Sequence, residues 1–177
     1  PRNVWDNFDH YYLVHLGNWF LSTFVIREFW ILHFKHILDE IIELSWQHIL
    51  PHFRECWWDH ILMDICLSNI PAITLALWIL KRNKFVMYDY FGREGKNSIW
   101  EYDIWHCHKR FGLILYLMAL LVVHFLNGFF INNNLLIPPV HPFPVVRLLI
   151  WFGLGSIAFR EGFEDARTWN TPQRKFT

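Results

Sequence analysis

Acidic side chains occur where the chain is otherwise apolar and aromatic. On the run from Phe29 to Leu50, His36, Glu40, Glu43 and Gln47 follow at spacings of four, three and four, which sets them on one face of a helix. Pro51 ends that helix, and Arg54-Glu55-Cys56-Trp57-Trp58-Asp59 leads into a second apolar run holding Asp64 and Asn69. Glu55 and Asp59 stand one helical turn apart, whereas Asp64 lies about 140° round from Asp59 at α-helical pitch. A carboxylate at the centre of a membrane span costs roughly 2.5–3.5 kcal/mol, so Glu40, Glu43, Asp59 and Asp64 together would cost on the order of 10 kcal/mol. Oxygen ligands in this number suit a hard divalent cation, Ca2+ or Mg2+, as the compensating charge. The competing reading is an interfacial helix whose acids face water and pair with Arg27, Lys35 or Arg54. Acids on successive segments, folded together by a proline turn, favour the site.

The 11 histidines raise a redox-metal alternative. His48-x-x-x-His52, His33-x-x-His36 and His106-Cys-His108 have a superficial likeness to the histidine boxes of membrane di-iron enzymes. Pro51 breaks the register between His48 and His52, no two histidines are adjacent, and His106 and His108 fall in a polar loop, so the ligand pattern argues against it. Phosphate-cradling glycine loops, a dinucleotide fingerprint and a nucleophile elbow are absent from the sequence.

The elements that would hold the acids read as membrane helices. Phe111 to Ile131 carries no formal charge and is long enough to cross a hydrocarbon core of about 30 Å. Further apolar runs cover approximately 11–26, 29–50, 59–80 and 144–159, the last with Arg147 near its start, where a long side chain can snorkel. The expectation is an all-α, polytopic transmembrane bundle forming a single domain over residues 1–177. Lys81, Arg82, Lys84, Arg93, Lys96, Lys109 and Arg110 crowd one connection, and the connection after Ile131 has no Lys or Arg. The positive-inside rule then puts 81–110 and the C-terminal tail in the cytosol.

Composition agrees. Of 177 residues 54% are hydrophobic and 18% charged, with 16 basic against 16 acidic side chains, which gives no electrostatic footprint for nucleic acid. Three cysteines without paired spacing exclude a disulfide framework. A chain opening on Pro1 reads as a piece of a longer one.

The strings Asn3-Val4-Trp5-Asp6, His15, Glu40-Ile-Ile-Glu43 and Leu50-Pro51-His52-Phe53-Arg54-Glu55-Cys56-Trp57-Trp58-Asp59 resemble the base-exchange phosphatidylserine synthases. So do Asp64, Asn69, Leu126-Asn127-Gly128-Phe129-Phe130, His141-Pro142 and Arg160, in the same order along nearly the whole chain. His52 stands where the family has Asn, Phe125 where it has Glu, and the loop from Arg93 to Trp105 is short. The resemblance implies a multi-pass enzyme of the endoplasmic reticulum membrane, with further spans beyond this chain. It would exchange the ethanolamine or choline of a phospholipid for L-serine, using Ca2+ and no nucleotide. The implied catalytic residues are His15 and Glu40, the implied Ca2+ ligands Glu43, Glu55, Asp59, Asp64 and Asn69, and the substrate contacts Arg160 and Asn127. Expected partners are the phospholipid, L-serine and a second copy of the chain. Without the resemblance His15 reads as an interfacial histidine, Asn127 as a helix-packing group, and Arg147 as a snorkelling cation or a phosphate contact.

The implied chemistry suits the acids. Trading one phosphodiester for another needs no energy source. It needs a base for the serine hydroxyl, worth about 10²–10⁴-fold, and charge stabilisation on phosphate oxygens. A cation or proton transporter and a catalytically silent scaffold of the same fold are the alternatives.

Overall fold

The computed structural model describes residues 10–46, 48, 57–133 and 141–168, and every regular element among them is helical. Helix α1 (His10–Ile26) and helix α2 (Phe29–Trp46) form a hairpin closed by Arg27 and Glu28. Arg27 takes a left-handed backbone (φ 50), which stops α1 and turns the chain. Glu28 then caps α2, its Oε2 accepting the Ile31 N–H at 2.6 Å.

The third rod has two windings. Asp59–Asn69 is π-helical, and the Ile70 N–H continues the pattern by donating to the Ile65 carbonyl. Ordinary α winding begins at helix α3 (Ile70–Arg82). Pro71, in the first turn of α3, has no N–H to give to either register, so the hydrogen-bond pattern is free to switch there. Lys81 and Arg82 close α3 where cations favour the helix dipole.

Helix α4 (His108–Asn133) and helix α5 (Pro142–Thr168) complete the set. Two stretches are apolar and long enough to cross a membrane: Ile61–Arg82, at mean hydropathy 1.7, and His108–Gly128, at 2.0. The remaining expected spans do not meet that standard alone, because α1 is only 17 residues long and α2 carries Lys35, Asp39, Glu40 and Glu43. The last helix also runs past the expected end at 159 to Thr168. The polar sequence there still favours a helix: Arg160 pairs with Glu164 one turn on at 3.1 Å, and Phe163 and Ala166 remain buried. Residues 47 and 49–56, where Pro51 was expected to end α2, lie outside the described residues.

Helix α1 packs against α3, α5 and the π-helical segment, while α2 packs against α4. Trp19, Ile26, Ile31, Leu32, Ile73 and Leu77 form the centre, and Tyr88, Tyr90, Phe159 and Phe163 extend it to one end. The connection from α3 to α4 is tied to that end throughout. The Tyr88 N–H donates to the Arg27 carbonyl at 3.3 Å, the Tyr90 hydroxyl to the Phe159 carbonyl, and Arg110 to the Asp89 and Tyr90 carbonyls. Arg93 bridges Glu28 at 2.9 Å and Asp89 at 3.0 Å. Glu28 is fully buried, and burial raises its carboxyl to about 7 despite the Ile31 N–H and Arg93.

Candidate active site

Among the residues that resemble a reactive centre, the structure brings His15 and Glu40 together. His15 projects from α1, and its Nε2 lies 3.9 Å from Glu40 Oε1 on α2. The Trp19 indole, one turn along α1, donates its N–H to the same Nε2 at 3.3 Å. An indole nitrogen can only donate, so Nε2 is the unprotonated nitrogen and carries the lone pair a general base needs. From the π-helical segment, Asn69 donates Nδ2 to Glu40 Oε1 at 3.5 Å, while its own Oδ1 is buried and unpaired. Tyr12 anchors α1 to the same segment by donating to the Leu67 carbonyl at 2.8 Å.

Of these, His15, Trp19 and Glu40 line a cavity of about 250 Å³ among α1, α2, α4 and α5. His15, Glu40, Glu43 and Asp39 contribute from one side, and Lys35, His124, Gly128 and Arg147 also line it. Lys35 forms a buried ion pair with Asp39 one turn away, and its ammonium sits over the Trp19 ring, 4.5 Å from the centroid. His36, on the same helix face as Glu40, is buried with its ring edge-on to Trp19 at 5.8 Å.

Apart from Trp19 and Lys35, which stand nearer the middle, the lining residues fall in the halves of their helices remote from the α1–α2 turn and the 83–107 connection. The cavity therefore lies toward the end of the bundle opposite the basic loop.

Not every expected site residue reaches this cavity. Asn127 lies on the exposed side of α4 and accepts the Arg147 Nε–H at 2.9 Å. Arg160 is an exposed residue near the opposite end of α5, paired with Glu164. Glu55 lies outside the described residues, as do Gln47 and His52. Asp59 is described by its backbone only, and Asp64 is half-buried. The π winding nevertheless changes how positions 59, 64 and 69 relate. At α pitch 64 would lie far round from 59, but with i→i+5 hydrogen bonds the three positions stand about one turn apart in succession.

Asp39 and His124, which line the cavity, were not picked out from sequence, and Lys35 was read only as a partner for the acids. The i, i+4 spacing of Lys35 and Asp39 inside an apolar helix was the available signal.

Among the described residues no three His, Cys, Asp or Glu side chains converge as a metal site. Donor chemistry is the remaining test. The buried, unpaired Asn69 Oδ1 beside the Glu40 carboxylate offers hard oxygen atoms of the kind Ca2+ takes, so the residues fit that ion in type.

A family model described as "Phosphatidyl serine synthase" matches residues 1–176. The chain belongs to the phosphatidyl serine synthase family. Within that family it is similar to "Phosphatidylserine synthase 2" of Rattus norvegicus, 28% identical over 92% of this chain and 38% of that protein. It is similar too to "CDP-diacylglycerol--serine O-phosphatidyltransferase 1" of Arabidopsis thaliana, 29% identical over 90% of this chain and 42% of that protein. A third relative, "CDP-diacylglycerol--serine O-phosphatidyltransferase 3" of Oryza sativa subsp. japonica, is 30% identical over 87% of this chain. The chain thus spans about two fifths of the length of these phosphatidyl serine synthase relatives. Membership, with two apolar helices of membrane-spanning length, makes this a membrane-associated chain.

Proposed function

We propose that the chain carries the reaction centre of a Ca2+-dependent base-exchange enzyme of the endoplasmic reticulum membrane, embedded as a multi-pass bundle. It would replace the ethanolamine or choline of a phospholipid with L-serine. The observation that carries the proposal is the cavity in which His15, with its lone pair on Nε2, faces Glu40 among membrane-type helices of a chain in this family. In the reaction the serine hydroxyl gives its proton to His15 Nε2 as its oxygen bonds to phosphorus. The bond from phosphorus to the departing alcohol breaks, and His15 returns the proton to that alcohol. Glu40 stabilises the imidazolium formed in between.

Ca2+ would be held by Glu43, Glu55, Asp59, Asp64 and Asn69. When bound, it supplies positive charge to the non-bridging phosphate oxygens. Asn69 and Glu40 also hold each other in register, which ties the base to the ligand-bearing segment.

The plant relatives' names support a second reading of the donor, CDP-diacylglycerol with CMP leaving. One experiment separates the readings. The full chain is placed in membranes lacking endogenous synthase, and labelled serine is followed into lipid. Phosphatidylethanolamine, phosphatidylcholine and CDP-diacylglycerol are offered separately, with Ca2+ and with excess chelator. Product from the first two donors, lost on chelation, is the expected result. Product only from the nucleotide donor, with CMP release, overturns exchange. No product from any donor by folded protein overturns the enzyme reading and calls for flux assays in proteoliposomes.

A further inference from the structure

In the same cavity as His15 stands a cation that meets no anion among the described residues. Arg147 Nε donates to Asn127 Oδ1 at 2.9 Å and Nη2 to the His124 carbonyl at 2.7 Å. The same Nη2 lies 3.5 Å from His124 Nδ1. All of these acceptors are neutral, and among the described residues no carboxylate forms an ion pair with Arg147 and Nη1 makes no hydrogen bond. A half-buried guanidinium on an apolar helix is costly to hold without a counter-charge. Here it is held in place from three sides. The His124 ring stacks on Trp151, centroids 4.6 Å apart, which fixes the carbonyl-bearing turn beneath it. Gly128 leaves the space the guanidinium occupies: a Cβ at that position would stand 3.3 Å from both Nη1 and Nη2. The frame therefore orients the planar fork without neutralising it.

The surroundings say what kind of anion fits. Val145, Val146, Leu149 and Ile150 flank Arg147 and are exposed, so this part of α5 shows hydrocarbon-compatible surface directly beside a polar cavity. A phosphate carrying acyl chains meets both environments at once. A guanidinium offers paired donors to two phosphate oxygens, a geometry an ammonium does not reproduce.

We propose that Arg147 is the oxyanion-binding residue of this cavity and takes the phosphodiester of the donor phospholipid. The inference rests on the exchange reading for its turnover arm only. In that arm, activity of the full chain is measured in mixed micelles while donor lipid and serine are varied separately. Arg147→Gln raises the apparent KM for donor lipid by about 10- to 100-fold and leaves the KM for serine unchanged. Arg147→Lys recovers part of the loss, and Gly128→Ala, which crowds the guanidinium, gives a smaller rise in the same constant.

The second arm needs no turnover. Binding of a short-chain diacyl phospholipid to the purified chain, followed by tryptophan fluorescence without serine, weakens in the same order. A KM change for serine in place of lipid overturns the proposal in favour of a carboxylate contact. Unchanged constants and binding in folded variants overturn it in favour of a strut between α4 and α5. Binding that depends on Arg147 in a chain that makes no phosphatidylserine would refute exchange and sustain this inference.

Discussion

Replacing Glu28 with Gln should remove a pH dependence that the native protein carries in its α1–α2 turn. The Glu28 carboxyl is fully buried and raised from 4.5 to about 7, first by burial. Arg93 does not cancel that effect because it is partly exposed and shares its guanidinium with Asp89. The folded state therefore holds the proton more tightly than the unfolded chain. Below pH 4.5 both states are protonated and the stabilising contribution is fully present. As pH rises the unfolded chain gives up its proton first, so stability falls between pH 4.5 and about 7 and levels off above that. Moving the proton affinity across that interval is worth roughly 3 kcal/mol. Gln keeps an oxygen for the Ile31 N–H and cannot ionise, so its stability lacks this slope. Thermal unfolding of both proteins in the same detergent, followed by tryptophan fluorescence from pH 4.5 to 8, cancels the groups they share. The native protein should lose stability relative to Glu28→Gln across the interval, ending roughly 3 kcal/mol lower on that relative scale. A flat difference, or one of opposite sign, would refute the burial argument.

Three further outcomes are expected. His15→Ala should fold normally and lower serine incorporation by at least about 10²-fold, the usual loss for a general base; Ca2+-dependent turnover that persists unchanged would remove His15 from the reaction. Gly92→Ala should loosen the 83–107 connection, because Gly92 has φ +67 and a Cβ would meet the Asp103 Cβ at 2.6 Å. Limited proteolysis should cut that connection sooner, with a loss of at least about 1–2 kcal/mol. Lys35→Met should cost roughly 3–5 kcal/mol in thermal unfolding by leaving Asp39 buried without its partner, whereas Lys35→Met with Asp39→Leu should recover most of it.

The helices were legible because apolarity over twenty residues is a one-dimensional property. Phe111 to Ile131 was read from charge and length alone and lies within α4. Features that depend on winding or rotation were not legible. The offset between positions 59 and 64 was taken at α pitch, and the chain instead winds as a π-helix until Pro71 allows the change. Glu28 drew no notice because a lone acid between two apolar runs looks like a solvated turn, yet the loop that buries it comes from residues 85–107. Arg147 and Arg160 look alike in sequence, both on the last helix, but 13 positions separate them and only Arg147 faces the cavity. The resemblance singled out Asn127, whose contact in the fold is the guanidinium of Arg147.

Helix α4 has a consequence of another kind. In its apolar stretch His108–Gly128, only Arg110, Ile114, Leu117 and Leu121 are buried inside the protein. Hydrocarbon asks a side chain to be apolar but is indifferent to its shape, so Leu, Ile, Val and Phe are near synonyms at most positions of this helix. What the helix specifies is written in a narrow stripe: Ile114, Leu117 and Leu121 against the core, then His124, Asn127 and Gly128 around the guanidinium. A library that shuffles apolar residues along α4 should therefore show a sparse code, tolerant along most of its length and strict at those few letters.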